Sequence, residues 1–119
     1  AGEPRDSDAG GRVLEYIRAN FCDAELCVIK VADEFNMHRT QVSKLIKSAT
    51  GVTFSDYVQT LRLGKAVSLI ESSERALADI ASDVGYASYL SFKRAFIRCY
   101  NVSPREYREH LLYSKLENT

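Results

Sequence analysis

The chain has 119 residues, of which 45% are hydrophobic and 27% charged, a composition typical of one ordinary globular domain or two small subdomains. It contains neither an apolar run near the roughly 18 residues of a membrane span nor a signal-peptide pattern, so we expect a cytoplasmic protein. Its three cysteines form no CxxC pair and its two histidines lie at no ligand spacing from them, which argues against a zinc site and favours reduced, mostly buried thiols.

The formal net charge is zero, but the charges are segregated along the chain. Residues 36–70 hold five basic residues and one acidic residue, and so do residues 86–108, which gives each block a charge of +4. Residues 71–85 between them carry −3, and residues 1–35 carry −4. Because a surface potential follows local charge, the two basic blocks predict two phosphate-facing patches.

In chain order, residues 1–10 have no apolar period and are expected to form a linker or a vector-derived end. Helical patterns follow almost without interruption, including a longer fourth helix from about Phe54 to Ile70. The start of the seventh helix is predicted from Ser103, Pro104 and Glu106. The start of the fourth helix is predicted from Thr53 with Asp56, which resemble a capping box. Inward-facing apolar residues are predicted in six helices, in chain order: Val13, Leu14, Ile17, Phe21; Val28, Val31, Ala32, Phe35; Val42, Leu45, Ile46, Ala49; Phe54, Tyr57, Val58, Leu61, Leu69; Leu77, Ile80, Ala81, Val84; Phe92, Ala95, Phe96, Cys99.

The sequence therefore predicts an all-α protein of about seven helices, with two subdomains joined by a long linker helix. The first subdomain is expected at residues 11–52 and the connecting helix at 53–71. The second subdomain is expected at residues 72–112, and residues 113–119 form a C-terminal tail.

An internal repeat supports the two-subdomain interpretation. Its three matching segments are Val31-Ala32-x-x-Phe35-Asn36 with Ile80-Ala81-x-x-Val84-Gly85, Val42-x-x-x-Ile46 with Phe92-x-x-x-Phe96, and Val52-Thr53-x-x-Asp56-Tyr57 with Val102-Ser103-x-x-Glu106-Tyr107. In each copy a small alanine permits close helix crossing. Asn36 or Gly85 then suits the left-handed backbone of a sharp turn.

These motifs resemble the DNA-binding domain of AraC/XylS-type transcription regulators over roughly residues 12–112. The resemblance rests on Ser43-x-x-Ile46-Lys47-x-x-x-Gly51, Arg62-Leu63-x-x-Ala66, Ile80-Ala81-x-x-x-Gly85-Tyr86, Phe92-x-Arg94-x-Phe96 and Ser103-Pro104-x-x-Tyr107-Arg108. The chain departs from the family pattern at four positions: Ile46 and Tyr86 replace phenylalanine, Asn101 replaces a common glycine, and Ile97 replaces a common lysine.

The resemblance implies seven helices that form two homeodomain-like helix-turn-helix subdomains, with two recognition helices that enter successive major-groove segments of double-stranded DNA. It also implies transcription activation more often than repression, RNA polymerase as a further partner, and no cofactor. A sensing or dimerising domain is expected outside this segment, in a longer protein.

On the third helix, the side chains opposite the apolar stripe are short or basic, as a helix in the major groove requires. We expect Thr40, Ser43 and Lys44 to contact bases, and Arg39 and Lys47 to contact phosphates. A merely solvated helix face is the alternative.

On the sixth helix, Ser88 is the expected N-cap, and the base contacts are expected from Tyr89, Leu90, Ser91 and Arg94. Arg94 suits a bidentate contact to guanine. Leu90 either touches a thymine methyl group or packs against the turn. Phosphate contacts are expected from Lys93 and Arg98.

The connecting helix from Phe54 to Glu71 has 18 residues and spans roughly 27 Å at about 1.5 Å per residue, which suits recognition helices near one DNA turn apart, about 34 Å. Gly64 in its middle either allows close packing or a bend, or is a tolerated weakness. Arg62 and Lys65 reach either phosphate or an acidic neighbour.

Two other functions compete with DNA binding. Zero net charge is compatible with a helical protein-interaction module that binds no DNA. An enzyme is disfavoured, because the sequence has no glycine-rich phosphate loop, no metal-ligand cluster and no nucleophile–base arrangement.

Overall fold

The computed structural model describes residues 5–117, with side chains from residue 9 onward. Within this range it contains seven α-helices and no strand, which confirms the predicted fold class. The helices are α1 (Arg5–Asn20), α2 (Val28–Phe35), α3 (Arg39–Thr50), α4 (Phe54–Ser72), α5 (Leu77–Asp83), α6 (Tyr89–Tyr100) and α7 (Pro104–Glu117).

The chain forms two compact units, whose boundary falls inside α4 between Leu61 and Arg62. The first unit contains α1 to α3 and the beginning of α4. The second unit contains the remainder of α4 and α5 to α7. The predicted connecting helix thus exists, and each of its halves belongs to one unit.

Each unit has its own apolar core, because the helices of that unit pack their apolar side chains together and leave most polar side chains in solvent. The first core consists of Val13, Ile17, Leu26, Val31, Ala32, Val42, Ile46, Phe54 and Val58. The second consists of Leu63, Ala66, Ile70, Ile80, Ala81, Val84, Phe92, Ala95 and Phe96.

The turn between the two helices of each helix-turn-helix has the predicted left-handed residue, Asn36 with φ 56° and Gly85 with φ 111°. The main-chain N–H of Met37 then donates to the carbonyl of Ala32 at 2.9 Å, and that of Tyr86 donates to Ala81 at 3.0 Å. These bonds satisfy carbonyl groups at the helix end and fix the start of each recognition helix.

Side chains cap the helices that follow the turns. Ser88 Oγ accepts from the N–H of Ser91 at 3.1 Å, as predicted for α6. Ser103 Oγ accepts from the N–H of Glu106 at 3.1 Å, and the N–H of Ser103 donates to the Glu106 carboxylate at 3.3 Å, which completes a capping box for α7. For α3 the cap is His38, whose Nδ1 accepts from the N–H of Thr40 at 3.2 Å.

The N-terminal helix is longer than the apolar pattern indicates. α1 begins at Arg5 and so takes in residues 5–10, which we expected in a linker, while residues 1–4 lie outside the described residues. Val13 and Ile17 anchor this helix in the core, and extending an existing helix adds one hydrogen bond for each residue fixed. Similarly, α7 continues through residues 113–117 of the predicted tail.

The expectation of mostly buried thiols is wrong. Cys27 and Cys99 are exposed, and Cys22 is half-buried. Cys27 occupies the N-cap position before α2, and Cys99 lies beyond Phe96, the last buried residue of α6. Both positions lie outside the packed part of their helix, so hydrophobicity alone does not bury them.

Candidate nucleic-acid interface

The outer face of α3 carries the predicted polar residues. Thr40, Lys44 and Lys47 recur at helical spacing opposite the buried Val42 and Ile46, and all three are exposed. Ser43, beside them, and Arg39, in the first turn, are also exposed. The five predicted contact residues of this helix are thus all accessible.

A cleft of about 390 Å³ runs beside α3 in the first unit. It brings together Thr40, Ser43, Lys44 and Lys47, whereas Arg39 does not line it. Its other lining residues include Thr53 and Ser55, at the start of α4, which the sequence analysis had not assigned to the site. The sequence could have indicated these two residues, because they lie at the N-terminal cap of α4, where their hydroxyl groups face the end of the helix.

The outer face of α6 has the same position in the second unit but a different chemistry. Leu90, Arg94 and Ile97 recur at helical spacing opposite Phe92 and Phe96. Leu90 is 52% exposed, so about half of its side chain is accessible to a ligand.

Tyr89 differs from the other predicted contact residues because it is half-buried. Its ring lies 6.1 Å from that of Phe92, and it packs against the second core. Tyr89 also lines a cleft of about 380 Å³ together with Lys93, Ser103 and Arg105. The cleft therefore brings together two of the predicted α6 residues.

This second cleft is the repeat equivalent of the first. An offset of 50 residues relates Thr53 to Ser103 and Ser55 to Arg105. The sequence analysis counted Arg105 in a basic block without assigning it to the site. The repeat offset was the signal that places it beside the recognition helix.

The remaining predicted α6 residues lie outside this cleft. Ser91 is exposed in the first turn, and its hydroxyl lies 3.0 Å from that of Ser88. Arg98 is exposed in the last turn. Ser91 is therefore partly engaged in the cap.

An aromatic contact supports the start of α6. The Arg62 guanidinium lies 5.6 Å from the centre of the Tyr86 ring, and Tyr86 in turn lies 5.6 Å from Phe92. Burial raises the pKa of Tyr86, and among the described residues its buried hydroxyl has no hydrogen-bond partner. Arg62 thus has an aromatic neighbour within the second unit, a role that the sequence analysis had not considered.

A tyrosine in each unit ties the last helix of that unit to its first. Arg18 Nε on α1 donates to the Tyr57 hydroxyl at 3.1 Å, and the Tyr107 hydroxyl donates to Glu71 Oε2 on α4 at 2.8 Å. The bond to Glu71 is the main reason why the pKa of Tyr107 is raised. The repeat thus includes a tyrosine hydrogen bond between the first and last helices of each unit, in addition to the two turns.

Two ion pairs within the described part of the chain lie away from these faces. Lys30 pairs with Asp23 at 3.1 Å, and Arg75 with Asp83 at 2.6 Å. Neither involves the cationic side chains Lys44, Lys47 or Arg94 on the outer faces of α3 and α6. None of the helices within residues 5–117 combines the length and the apolar character of a membrane span.

A family profile described as a helix-turn-helix domain matches residues 31–110 of the chain. The HTH-type transcriptional activator RhaS of Escherichia coli is 34% identical over 97 residues, which make up 82% of this chain and 34% of RhaS. The chain therefore spans about a third of the length of the curated relatives it matches.

Solved structures are also similar to this chain. The C-terminal domain of AraT, a response regulator from Geobacillus stearothermophilus, superposes with a TM-score of 0.82 at 32% identity, covering 85% of this chain and 84% of that one. The DNA-binding domain of AdpA, solved in complex with a target DNA, has a TM-score of 0.79 at 23% identity, covering 85% of this chain and 90% of that one. The AdpA likeness shows the fold alone.

Proposed function

This chain belongs to the DNA-binding domains of AraC/XylS-type transcription regulators, and on that premise we propose that it inserts α3 and α6 into successive major-groove segments of one duplex. The observation that carries the proposal is the equivalence of two exposed faces. Each lies on the second helix of a helix-turn-helix, opposite a buried stripe, and each carries a cationic side chain in its centre, Lys44 or Arg94.

In this arrangement Thr40, Ser43 and Lys44 contact bases from α3, with Arg39 and Lys47 on phosphates. From α6, base contacts come from Tyr89, Leu90, Ser91 and Arg94, with Lys93 and Arg98 on phosphates. Because α6 presents one central arginine, whose two N–H groups match guanine O6 and N7, Arg94 is assigned the sequence-specific polar contact.

The proposal extends to the whole regulator. RhaS is named an activator, and by analogy the present chain raises transcription by recruiting RNA polymerase. A sensing or dimerising domain belongs to the larger part of such a protein, which works in the cytoplasm where the DNA is. The chain itself binds DNA and catalyses no reaction.

The decisive experiment is a salt titration of duplex binding. A duplex is first enriched from a random pool with this chain, and its dissociation constant is measured by fluorescence anisotropy against a scrambled duplex. With four phosphate contacts, we expect affinity to fall on the order of a hundredfold between about 50 and 200 mM salt. Absence of duplex binding at the lower concentration would favour the protein-interaction module instead.

A further inference from the structure

The two recognition helices present different chemistry at equivalent positions. Under the 50-residue offset, the outermost positions of α3 and α6 correspond one to one. They are Thr40, Lys44 and Lys47 on α3, and Leu90, Arg94 and Ile97 on α6. The first unit thus offers two cations and a hydroxyl, whereas the second offers one cation between two apolar side chains.

These apolar side chains are in contact with solvent. Leu90 is 52% exposed and Ile97 is 40% exposed, on the face directly opposite the buried Phe92 and Phe96. They lie four residues before and three residues after Arg94, so all three share one line along the helix. Tyr100, also exposed on α6, is different, because its ring lies 4.7 Å from that of Phe96. Leu90 and Ile97 thus place an exposed apolar side chain on either side of Arg94.

The major groove offers one apolar group to such side chains, the C5 methyl of thymine. Leu90 and Ile97 are separated by seven residues, or roughly 10 Å along the helix axis, which is about three base-pair steps. Arg94 between them suits guanine. The spacing therefore matches two thymines about three base-pair steps apart, with the guanine at one of the two positions between them.

We propose that Leu90 and Ile97 read thymine methyl groups that flank the guanine bound by Arg94. The second unit then selects its half-site partly by apolar contact, while the first unit relies on polar and ionic contacts from Thr40, Lys44 and Lys47. This inference rests on the proposed DNA binding and adds the base chemistry that α6 selects.

Uracil substitution tests this directly, because uracil differs from thymine only by the missing methyl group. The duplex enriched by this chain is resynthesised with each thymine in turn replaced by uracil, and the guanine contacted by Arg94 is located with Arg94→Ala. We expect about a fourfold loss of affinity for uracil at each of two thymines near that guanine, the factor for one buried methyl-sized group.

Variants assign the two contacts. Leu90→Ala should abolish the uracil effect at one position, and Ile97→Ala should abolish it at the other. Leu112→Ala, which truncates a 55% exposed leucine on α7, is the matched control and should leave both effects intact. Because all three side chains are exposed, the variants should fold like the parent chain, which circular dichroism checks.

Ile97→Lys gives the second readout, since it installs the residue found at the equivalent position of α3. It should remove the methyl discrimination and increase the magnitude of the salt slope by about 0.9. Equal affinity for thymine and uracil duplexes, no thymine near the guanine, or uracil effects that persist in Leu90→Ala and Ile97→Ala would overturn the inference. None of these results would contradict the proposed DNA binding, which is contradicted only if salt-dependent duplex binding is absent.

Discussion

In the proposed complex with DNA, Arg94 is the side chain on which base discrimination by the second unit depends most. It is exposed at the centre of the outer face of α6, and the buried neighbours Phe92, Ala95 and Phe96 hold the helix beneath it in place. A guanidinium presented in this way offers two N–H donors to one base edge.

Replacing Arg94 by alanine should therefore relax the preference at one base pair. We expect discrimination there to fall by about 1–3 kcal/mol, because a bidentate contact to guanine is lost. Competition binding against duplexes with each base at every position measures this. A uniform loss over all sequences would show that Arg94 contacts phosphate.

A second residue-level prediction concerns Tyr86, whose buried hydroxyl lacks a partner within the described part of the chain. Tyr86→Phe should raise the free energy of unfolding by roughly 1 kcal/mol, because a desolvated hydroxyl is removed. Urea denaturation measures this. Tyr113→Phe, which changes a 68% exposed side chain, should be neutral. A destabilised Tyr86→Phe would indicate that the hydroxyl is satisfied.

The same residue predicts a response to alkaline pH. Burial is the main cause of the raised pKa of Tyr86, so the folded chain holds this proton more tightly than the unfolded chain does. The resulting stability is fully present below the unfolded pKa, about 10, and is lost as pH rises through the higher folded value. Urea midpoints above pH 10 should therefore fall less in Tyr86→Phe than in the parent. Equal losses would contradict this.

At the scale of elements, α4 explains why apolar periodicity is hardest to read in the longest helix. Phe54 and Val58 pack into the first core, whereas Leu63, Ala66 and Ile70 pack into the second. At about 100° per residue these two sets fall on different faces. The sequence analysis identified the first set and missed Leu63, Ala66 and Ile70, because it looked for one continuous stripe.

The two glycines of this region give opposite predictions. A Cβ added at Gly64, inside α4, meets nothing within 4 Å, so close packing does not explain this glycine. Gly64→Ala should therefore stabilise the fold by about 0.5–1 kcal/mol. Gly51 ends α3 with φ 82°, and Gly51→Ala should destabilise by roughly 1 kcal/mol. Thermal denaturation compares them, and equal signs would contradict the backbone argument.

For the molecule as a whole, the segregation of charge matters more than its sum. The chain is formally neutral, yet each basic block carries +4 and contains one recognition helix. Local potential governs attraction to phosphate over roughly 8 Å at physiological salt. A neutral chain of this kind is therefore compatible with salt-sensitive DNA binding.

Lys47→Ala tests this at the molecular scale. Loss of one phosphate contact should weaken binding to every duplex alike and reduce the magnitude of the salt slope by about 0.9. Lys115→Ala, in the last turn of α7, should leave the slope unchanged. If Lys47→Ala and Arg94→Ala behave identically, the division between base and phosphate contacts is wrong.

The sequence alone determined the helices, the two turns and the duplication, because these depend on local properties: apolar spacing, a left-handed residue after each short helix, and hydroxyl caps. Asn36, Gly85 and Ser88 have the predicted roles, since each acts within a few residues of its own position.

Only the tertiary structure decided which side chains the packing leaves exposed. Leu90 lies in solvent and Tyr89 half in the core, although both are apolar neighbours in the first turn of α6. Arg105 lies beside Lys93 because α6 and α7 pack together, and the cysteines are exposed where their helices leave the core. Which of two neighbouring apolar side chains is buried depends on surfaces that are distant in sequence, and the local pattern does not contain that information.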